Sequence, residues 1–160
     1  MRVLALDIST NVGWAVFNGR HSKPRLDTWR APMAMVGHYG RRLSAFEEWL
    51  RGKISLLQPE LVAFESPIFV KWSSDLATNE HTIRLLIGLA SITELVCYRA
   101  SVRCIEVHSQ TAKKRLAGNS RAKKNQMVAA AVKAGFEVAN DHEADACAVA
   151  LAAYDHVEGY

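Results

Sequence analysis

The amino-acid sequence predicts an α/β fold in which a mixed five-stranded sheet is flanked by helices. Short apolar segments with strand character alternate with longer segments of helical periodicity. The first three strands follow one another without an intervening helix, as in a meander. Neither GxGxxG nor GxxxxGK[ST] occurs, which argues against a Rossmann repeat. The length of 160 residues is typical of one domain, so we expect residues 1–160 to fold as a single domain.

The first half of the chain contains four predicted strands and one helix. The strands cover residues 2–8, 13–18, 25–31 and 60–66. A turn-forming Asn18-Gly19 pair closes the second strand. Between the third and fourth strands, apolar residues recur every three or four positions, which predicts a helix that Gln58-Pro59 ends. This helix covers residues 39–57.

The second half contains one strand and four helices. A long apolar helix is predicted over residues 78–99, and a strand follows over 102–107. Three further helices are predicted over 109–117, over 121–134 and from about 141 to 156. Ser120 is the predicted N-cap of the second of these, and Asn140 or Asp141 that of the last.

Composition restricts the classes of protein to which the chain can belong. No apolar run reaches the ~18 residues of a membrane span and no signal peptide is evident, so we expect a cytoplasmic protein without membrane contact. Cys97, Cys104 and Cys147 lack the spacing of a zinc site or a disulfide framework, so reduced thiols are expected.

Two acids stand at the ends of apolar strands. Asp7 interrupts the apolar segment RVLALDI, and Glu65 follows the apolar residues LVAF. A buried carboxylate is costly unless a cation or a hydrogen-bond donor accompanies it. Asp7 could instead cap its own turn with Ser9 and Thr10, and Glu65 could point into solvent. Their occurrence together favours a shared functional site at one edge of the sheet.

A third group of polar residues begins the final helix, in the segment NDHEADA. His142 and Asp145 are three residues apart and therefore share a helix face. Asn140 followed by Glu143 resembles a capping box, and we interpret Glu143 and Asp141 mainly as capping residues. Either remains a possible supplement to His142. Asp145 lies one turn deeper among core-facing residues, which favours a functional role.

Asp7, Glu65, His142 and Asp145 together form a set of hard oxygen ligands with one imidazole. This set suits Mg²⁺ or Mn²⁺ better than zinc. Two such ions would neutralise the carboxylates and promote an in-line phosphoryl displacement. We expect Asp7 to bridge both ions, Glu65 to bind one, and Asp145 with His142 to bind the other.

The chain has a net charge of +4. A basic segment that precedes the acidic helix forms a local positive patch. Its residues flank a Gly-Asn-Ser turn and could bind the phosphates of DNA, although a solvated surface loop is the alternative. The residues that we expect to bind DNA are Lys113, Lys114, Arg121, Lys123 and Lys124.

Four segments resemble the RuvC family of Holliday-junction resolvases, which has the RNase H-like nuclease fold. They are LALDISTNVGWAV, LVAFESPIF, SQTAKKRLAGNSRAKKNQM and HEADACAVALA, and they span nearly the whole chain. The resemblance implies that Asp7, Glu65, His142 and Asp145 are catalytic metal ligands. It also implies that Lys113 and Lys124 lie at the phosphate to be cut. Of these two lysines, we expect Lys124 to be a catalytic residue.

The resemblance further implies a partner and an assembly. An aromatic side chain after the strand glutamate probes the junction centre in the family; here we assign this role to Phe69, with a core aromatic as the alternative. Family members are homodimers, and the helix over 78–99 is similar in position to the family's dimer helix. The expected substrate is branched DNA, chiefly the four-way junction, cut by hydrolysis that leaves a 5′-phosphate.

Three other functions are compatible with parts of the sequence. A less selective flap or branch nuclease, or an RNase H acting on hybrids, would use the same acids. A junction-binding protein without catalysis would require a defective metal site. The DISTNVG segment also resembles the phosphate-binding hairpin of sugar kinases and actin-type ATPases, but the chain is too short for the two domains of such proteins.

Overall fold

The computed structural model describes residues 1–32, 38–67 and 80–159. Its elements follow the predicted order β-β-β-α-β-α-β-α-α-α. The strands are β1 (Val3–Asp7), β2 (Val12–Phe17), β3 (Arg25–Trp29), β4 (Leu61–Glu65) and β5 (Arg103–Val107). The helices are α1 (Tyr39–Leu57), α2 (Glu80–Arg99), α3 (Ser109–Ala117), α4 (Lys124–Lys133) and α5 (Asp141–Glu158).

The five strands form one mixed sheet in the order β3-β2-β1-β4-β5. The meander β1-β2-β3 is antiparallel, whereas β1, β4 and β5 run parallel to one another. The carboxyl ends of β1, β4 and β5 therefore lie at the same edge of the sheet. The predicted mixed five-stranded sheet flanked by helices is confirmed.

Side chains of the central strands alternate between two cores. Val3 and Ala5 of β1 pack with α3, α4 and α5, whereas Leu4 and Leu6 pack with α1 and α2. Because successive strand residues point to opposite faces, Asp7 lies on the same face as Val3 and Ala5. The strand residues that precede Glu65 follow the same alternation, so both acids lie on the face that α5 covers.

Helix α4 begins three residues later than the sequence predicts. The predicted helix over 121–134 with Ser120 as its N-cap is wrong, because the helix starts at Lys124 with Lys123 at the N-cap position. The Asn119 side chain accepts a hydrogen bond from the Arg121 backbone N–H (2.9 Å), and the Asn119 carbonyl accepts one from Ala122 (3.2 Å). These local bonds hold residues 119–122 in a turn.

Helix α2 combines a buried stripe with an exposed apolar one. Leu85, Leu89 and Val96 are buried, whereas Ile87, Leu95 and Tyr98 are among the most exposed large apolar side chains of the described residues. By length and composition alone α2 could cross a membrane, and 28% of its most apolar 18-residue window is buried. Helices that pack in the core of a soluble protein meet the same criterion, so this finding is weak evidence for a membrane span.

Candidate active site

Two carboxylates meet at the edge of the sheet where β1 and β4 end. Asp7 is the last residue of β1 and Glu65 the last residue of β4, and the two strands pair in parallel up to Leu6 and Phe64. Asp7 is almost completely buried, with 6% of its surface exposed. The expectation that these two acids share one sheet edge is therefore confirmed by the parallel pairing.

Helix α5 brings His142 and Asp145 to the same edge. Its first turn crosses β2 at Gly13, where a Cβ atom would lie only 2.1 Å from the carbonyl oxygen of His142. No other residue allows this approach, because any side chain would displace the helix. The small residues of α5 that face the sheet, such as Ala146 and Ala150, extend the close packing along the helix.

A hydrogen bond joins the strand acid to the helix imidazole. His142 Nδ1 donates to Asp7 Oδ2 at 2.8 Å, and Ser9 Oγ lies 3.2 Å from the same carboxylate oxygen. The Asp7 carboxylate raises the pKa of His142 above its ordinary value. Burial raises the pKa of Asp7 despite the opposing effect of His142. The pair therefore places one imidazole against a carboxyl whose pKa is raised by burial.

The pKa values of the other two acids are raised because burial disfavours their charged form and the carboxylates lie close together. Burial and the negative charge of Asp7 raise the pKa of Glu65 to about 7 and that of Asp145 to about 7. Asp145 Oδ1 is buried and has no hydrogen-bond partner among the residues that the structure describes. Carboxylates in this state bind protons or cations readily, because either would relieve their mutual repulsion.

The donor set fits a divalent cation with a preference for oxygen ligands. Asp7, Glu65 and Asp145 offer carboxylate oxygens, one of them unpartnered, and His142 offers one imidazole. Within residues 1–32, 38–67 and 80–159 no three His, Cys, Asp or Glu side chains are placed so that together they could hold a metal ion. The hydrogen bond between His142 and Asp7 occupies one of the carboxylate oxygens that such a group would use.

The neighbouring acids of α5 have different partners. Glu143 accepts hydrogen bonds from the Ala139 N–H (2.8 Å) and the Asn140 side chain (3.2 Å), and Asn140 Oδ1 accepts one from the Glu143 N–H (3.0 Å). Asn140 is therefore the N-cap of α5, and Glu143 completes a capping arrangement as its sequence spacing predicts. Asp141 instead forms an ion pair with Lys124.

Two lysines of the basic segment lie beside the acids. Lys124 Nζ is 2.6 Å from Asp141 Oδ2, and this partner raises the pKa of Lys124, with smaller contributions from Asp145 and Asp7. The charge of Lys113 opposes the rise in the pKa of both Glu65 and Asp145. Both lysines are thus close enough to the acidic site to act on a bound anion there.

The remaining predicted DNA-binding residues are less closely connected to the acids. Lys114, Arg121 and Lys123 are exposed, on α3 and on the turn that leads to α4. Their position beside Lys113 and Lys124 extends the positive surface along one side of the site. Phe69 lies outside the residues that the structure describes.

Two contributors to the site carry no signal in the local sequence. In the sequence Gly13 looks like an ordinary turn glycine. In the structure its missing side chain leaves room for the first turn of α5, at His142, 129 positions later. Arg42 of α1 donates from Nη2 to the carbonyl oxygen of Thr10 and so anchors the turn that follows Asp7. Both interactions join residues distant in sequence, so periodicity and spacing do not reveal them.

Comparisons with known proteins support the fold. No protein-family model matches the chain, and no curated protein matches its sequence. Among solved structures, Thermus thermophilus RuvC is similar with a TM-score of 0.72 and 22% identity, over 99% of this chain and 97% of that one. T. thermophilus RuvC in complex with Holliday junction substrate gives a TM-score of 0.78 and 20% identity, over 99% and 96%.

A third similar structure comes from a eukaryote. The yeast mitochondrial Holliday junction resolvase Ydc2 gives a TM-score of 0.64 and 13% identity, over 94% of this chain and 76% of that one. The predicted RNase H-like fold and the resemblance to RuvC structures are therefore confirmed as a likeness of fold. At these identities the likeness concerns the fold alone.

Proposed function

We propose that this protein is a metal-dependent endonuclease that hydrolyses phosphodiester bonds in branched DNA, chiefly at four-way junctions, and acts as a homodimer. The observation that carries the proposal is the convergence of Asp7, Glu65 and Asp145 at one sheet edge, with pKa values raised by burial and mutual repulsion. The fold is similar to that of a resolvase bound to a Holliday junction.

The acids supply the ligands that the reaction needs. Two Mg²⁺ ions, or Mn²⁺ in their place, would neutralise the carboxylates and stabilise the attacking and leaving oxygens of the displacement. Asp7 would hold both ions, Glu65 one of them, and Asp145 with His142 the other. Water adds to phosphorus, the bond from phosphorus to the 3′ oxygen breaks, and the 3′ oxygen takes up a proton, leaving a 5′-phosphate.

Lysines beside the acids would hold the DNA backbone. Lys124 and Lys113 flank the acidic site and would contact the phosphate that is cut. Lys114, Arg121 and Lys123 are exposed next to them and would bind neighbouring phosphates through charge, which makes binding depend on salt. We also propose that Phe69 contacts the junction centre.

The exposed apolar stripe of α2 supports the homodimer. Ile87 and Leu95 are 43% and 39% exposed and Tyr98 is 84% exposed, and an exposed apolar patch on one helix is typical of an interaction surface. A second copy of the chain packed on this helix would cover them. Two copies related by a two-fold axis would present two acidic sites to symmetry-related strands of a junction.

A panel of DNA substrates tests the substrate class. The purified protein is incubated with a four-way junction, a flap, a fork, a duplex and an RNA–DNA hybrid, in Mg²⁺, in Mn²⁺ or in EDTA. We expect the junction to be cut fastest and only with a divalent ion present. Equal cutting of plain duplex would refute junction selectivity, and preferential cutting of the hybrid would favour an RNase H activity.

Sedimentation equilibrium tests the assembly. We expect a dimer at micromolar concentration, and we expect Leu95→Glu on α2 to shift it towards monomer because a charge would be buried at the interface. Leu56→Glu, at an exposed position on α1, is the matched control and should leave the dimer intact. A monomeric wild-type protein that still cuts both strands in a concerted reaction would contradict the proposed dimer.

A further inference from the structure

Two buried hydroxyl groups near the acidic site lack hydrogen-bond partners. Ser66 Oγ and Ser109 Oγ are shielded from solvent and have no partner among the described residues. Only 6% of the surface of Ser109 is exposed. The Ser109 hydroxyl lies near the Glu65 carboxylate and opposes the rise in the pKa of that acid. The two groups nevertheless do not meet the geometry of a hydrogen bond, so the Ser109 hydroxyl has no partner among the described residues. Unpaired buried polar groups are rare in proteins, and a ligand is one explanation for them.

The sheet brings these two serines together. Ser66 follows Glu65 at the end of β4, and Ser109 begins α3 two residues after the end of β5 at Val107. Glu65 and Val107 are partners in the parallel ladder, and the Ser66 N–H donates to the Val107 carbonyl at 2.9 Å. The two serines therefore lie at the edge of the sheet that carries the acids.

Both serines line one cavity, which we call the α3 cavity. Its volume is about 460 Å³. Its lining residues are Ser66, Pro67, His108, Ser109, Gln110, Lys113 and Ser120. Every side chain with a polar group in this set is able to donate a hydrogen bond, and none is a carboxylate. An occupant rich in acceptors and bearing negative charge fits this lining best.

The N-terminus of α3 adds backbone donors to the cavity. α3 is nine residues long, and its N-cap residue His108 forms no side-chain capping bond. The first backbone N–H groups of a helix have no partner within the helix and favour an anion. Lys113 lies one turn further along the helix and adds a positive charge. The residues at the N-terminus of α3, the two serines with unpaired hydroxyl groups and Lys113 thus line the same cavity.

We propose that the α3 cavity binds a backbone phosphate of the cleaved DNA strand, next to the phosphate that is cut. This inference rests on the proposed function and extends it to Ser66 and Ser109 as positioning residues. Phosphodiester oxygens only accept hydrogen bonds, so they match a lining made of donors. Because Ser66 directly follows Glu65, a phosphate held here would fix the register of the strand relative to the acidic site.

The first test separates binding from structure. Ser66→Ala combined with Ser109→Ala removes two unpaired hydroxyl groups, so we expect the melting temperature without DNA to stay equal or rise. Affinity for a four-way junction, measured by fluorescence anisotropy in Ca²⁺, should fall about tenfold or more. Thr111→Ala, at an exposed position on the same turn of α3, should change neither value. A lower melting temperature with unchanged affinity would overturn the proposal.

The second test identifies the phosphate. Junctions are prepared in which one phosphate at a time near the cut site is replaced by a neutral methylphosphonate. In the wild-type protein one substitution beside the cut site should weaken binding strongly, and the serine double variant should lose that particular sensitivity. If each methylphosphonate weakened binding equally in the wild-type protein and in the double variant, the proposal that the α3 cavity binds a phosphate would be overturned.

The outcomes of these tests distinguish the two proposals. If the wild-type protein binds and cuts junctions but the double variant behaves in the same way, the cavity proposal fails and the proposed function stands. If the wild-type protein neither binds nor cuts branched DNA, both proposals fail together.

Discussion

Asp145→Asn should stabilise the protein in the absence of divalent ions while it removes one ligand of the proposed metal site. The carboxyl of Asp145 is half-buried near Asp7, and its Oδ1 is shielded from solvent and has no hydrogen-bond partner among the described residues. Asparagine has nearly the same shape but carries no charge. The substitution therefore relieves repulsion without creating a cavity.

The pKa of Asp145 sets the size and the pH dependence of this effect. Its rise from 3.8 to about 7 means that the folded protein holds this proton more tightly than the unfolded chain does. Stability is therefore lost as the pH rises from about 4 to about 7, and the loss is complete above pH 7. At about 1.4 kcal/mol for each pKa unit, the full penalty is about 4 kcal/mol at pH 8. At pH 4.5 the same relation gives a penalty of about 1 kcal/mol.

Thermal unfolding followed by circular dichroism measures the effect. Because Asp7 and Glu65 share the repulsion, we expect Asp145→Asn to recover about 2–4 kcal/mol at pH 8 in EDTA. For a chain of this size that corresponds to a rise in melting temperature of about 5–15 °C. Mg²⁺ should raise the melting temperature of the wild-type protein and have much less effect on the variant.

A second aspartate of α5 provides the matched control. Asp155 forms ion pairs with Arg20 and Arg115, so Asp155→Asn should lower the melting temperature. The reasoning would be refuted if Asp145→Asn left the melting temperature at pH 8 unchanged or lowered it. It would also be refuted if the gain at pH 4.5 equalled the gain at pH 8, because charge repulsion would then not be its source.

Three further substitutions test other parts of the structure. Gly13→Ala should lower both the melting temperature and junction cleavage, since the added Cβ would lie 2.1 Å from the carbonyl oxygen of His142. Tyr154→Phe should cost about 1–3 kcal/mol in urea unfolding without changing cleavage, because its hydroxyl bonds two backbone groups far from the acids. Lys124→Gln should slow single-turnover cleavage about tenfold or more and change stability by less than about 1 kcal/mol, because its ion pair is exposed.

Each of these substitutions has its own control or contrary outcome. Gly52→Ala, in α1 with no atom near the added Cβ, should stabilise the protein slightly, and an equal loss in both glycine variants would contradict the close-approach argument. Loss of cleavage in Tyr154→Phe would show that the hydroxyl has a functional role. Lys114→Gln should slow cleavage less than Lys124→Gln, and the reverse order would contradict the proposed placement of the DNA.

The order of elements and the main acids were predictable because their signals are local. Strand runs, helical stripes and the Asn140–Glu143 capping pair each occupy a few consecutive residues, so spacing alone reveals them. Asp7 and Glu65 stand out because each ends an apolar strand. Parallel pairing of two such strands brings their last residues together, which sequence reasoning can anticipate without coordinates.

What the sequence did not reveal depends on contacts between distant segments. The contact of Gly13 with His142 and the bond from Arg42 to Thr10 carry no periodic signal. The sequence predicts too early a start for α4 because Ser120 is a common N-cap residue, whereas in the structure the side chain of Asn119 bonds the following backbone and the helix begins later. The pairing of His142 with Asp7 also requires the tertiary structure, because 135 positions separate the two residues.

The most direct test of the acidic site is single-turnover cleavage of a four-way junction in Mg²⁺ by the wild-type protein and by Asp7→Asn. Asparagine at position 7 can still accept a hydrogen bond from His142, so circular dichroism should show a folded variant. We predict cleavage by the wild-type protein and a loss of at least about a hundredfold in the variant, with junction binding retained. Cleavage by Asp7→Asn at the wild-type rate would contradict a catalytic centre built on these acids.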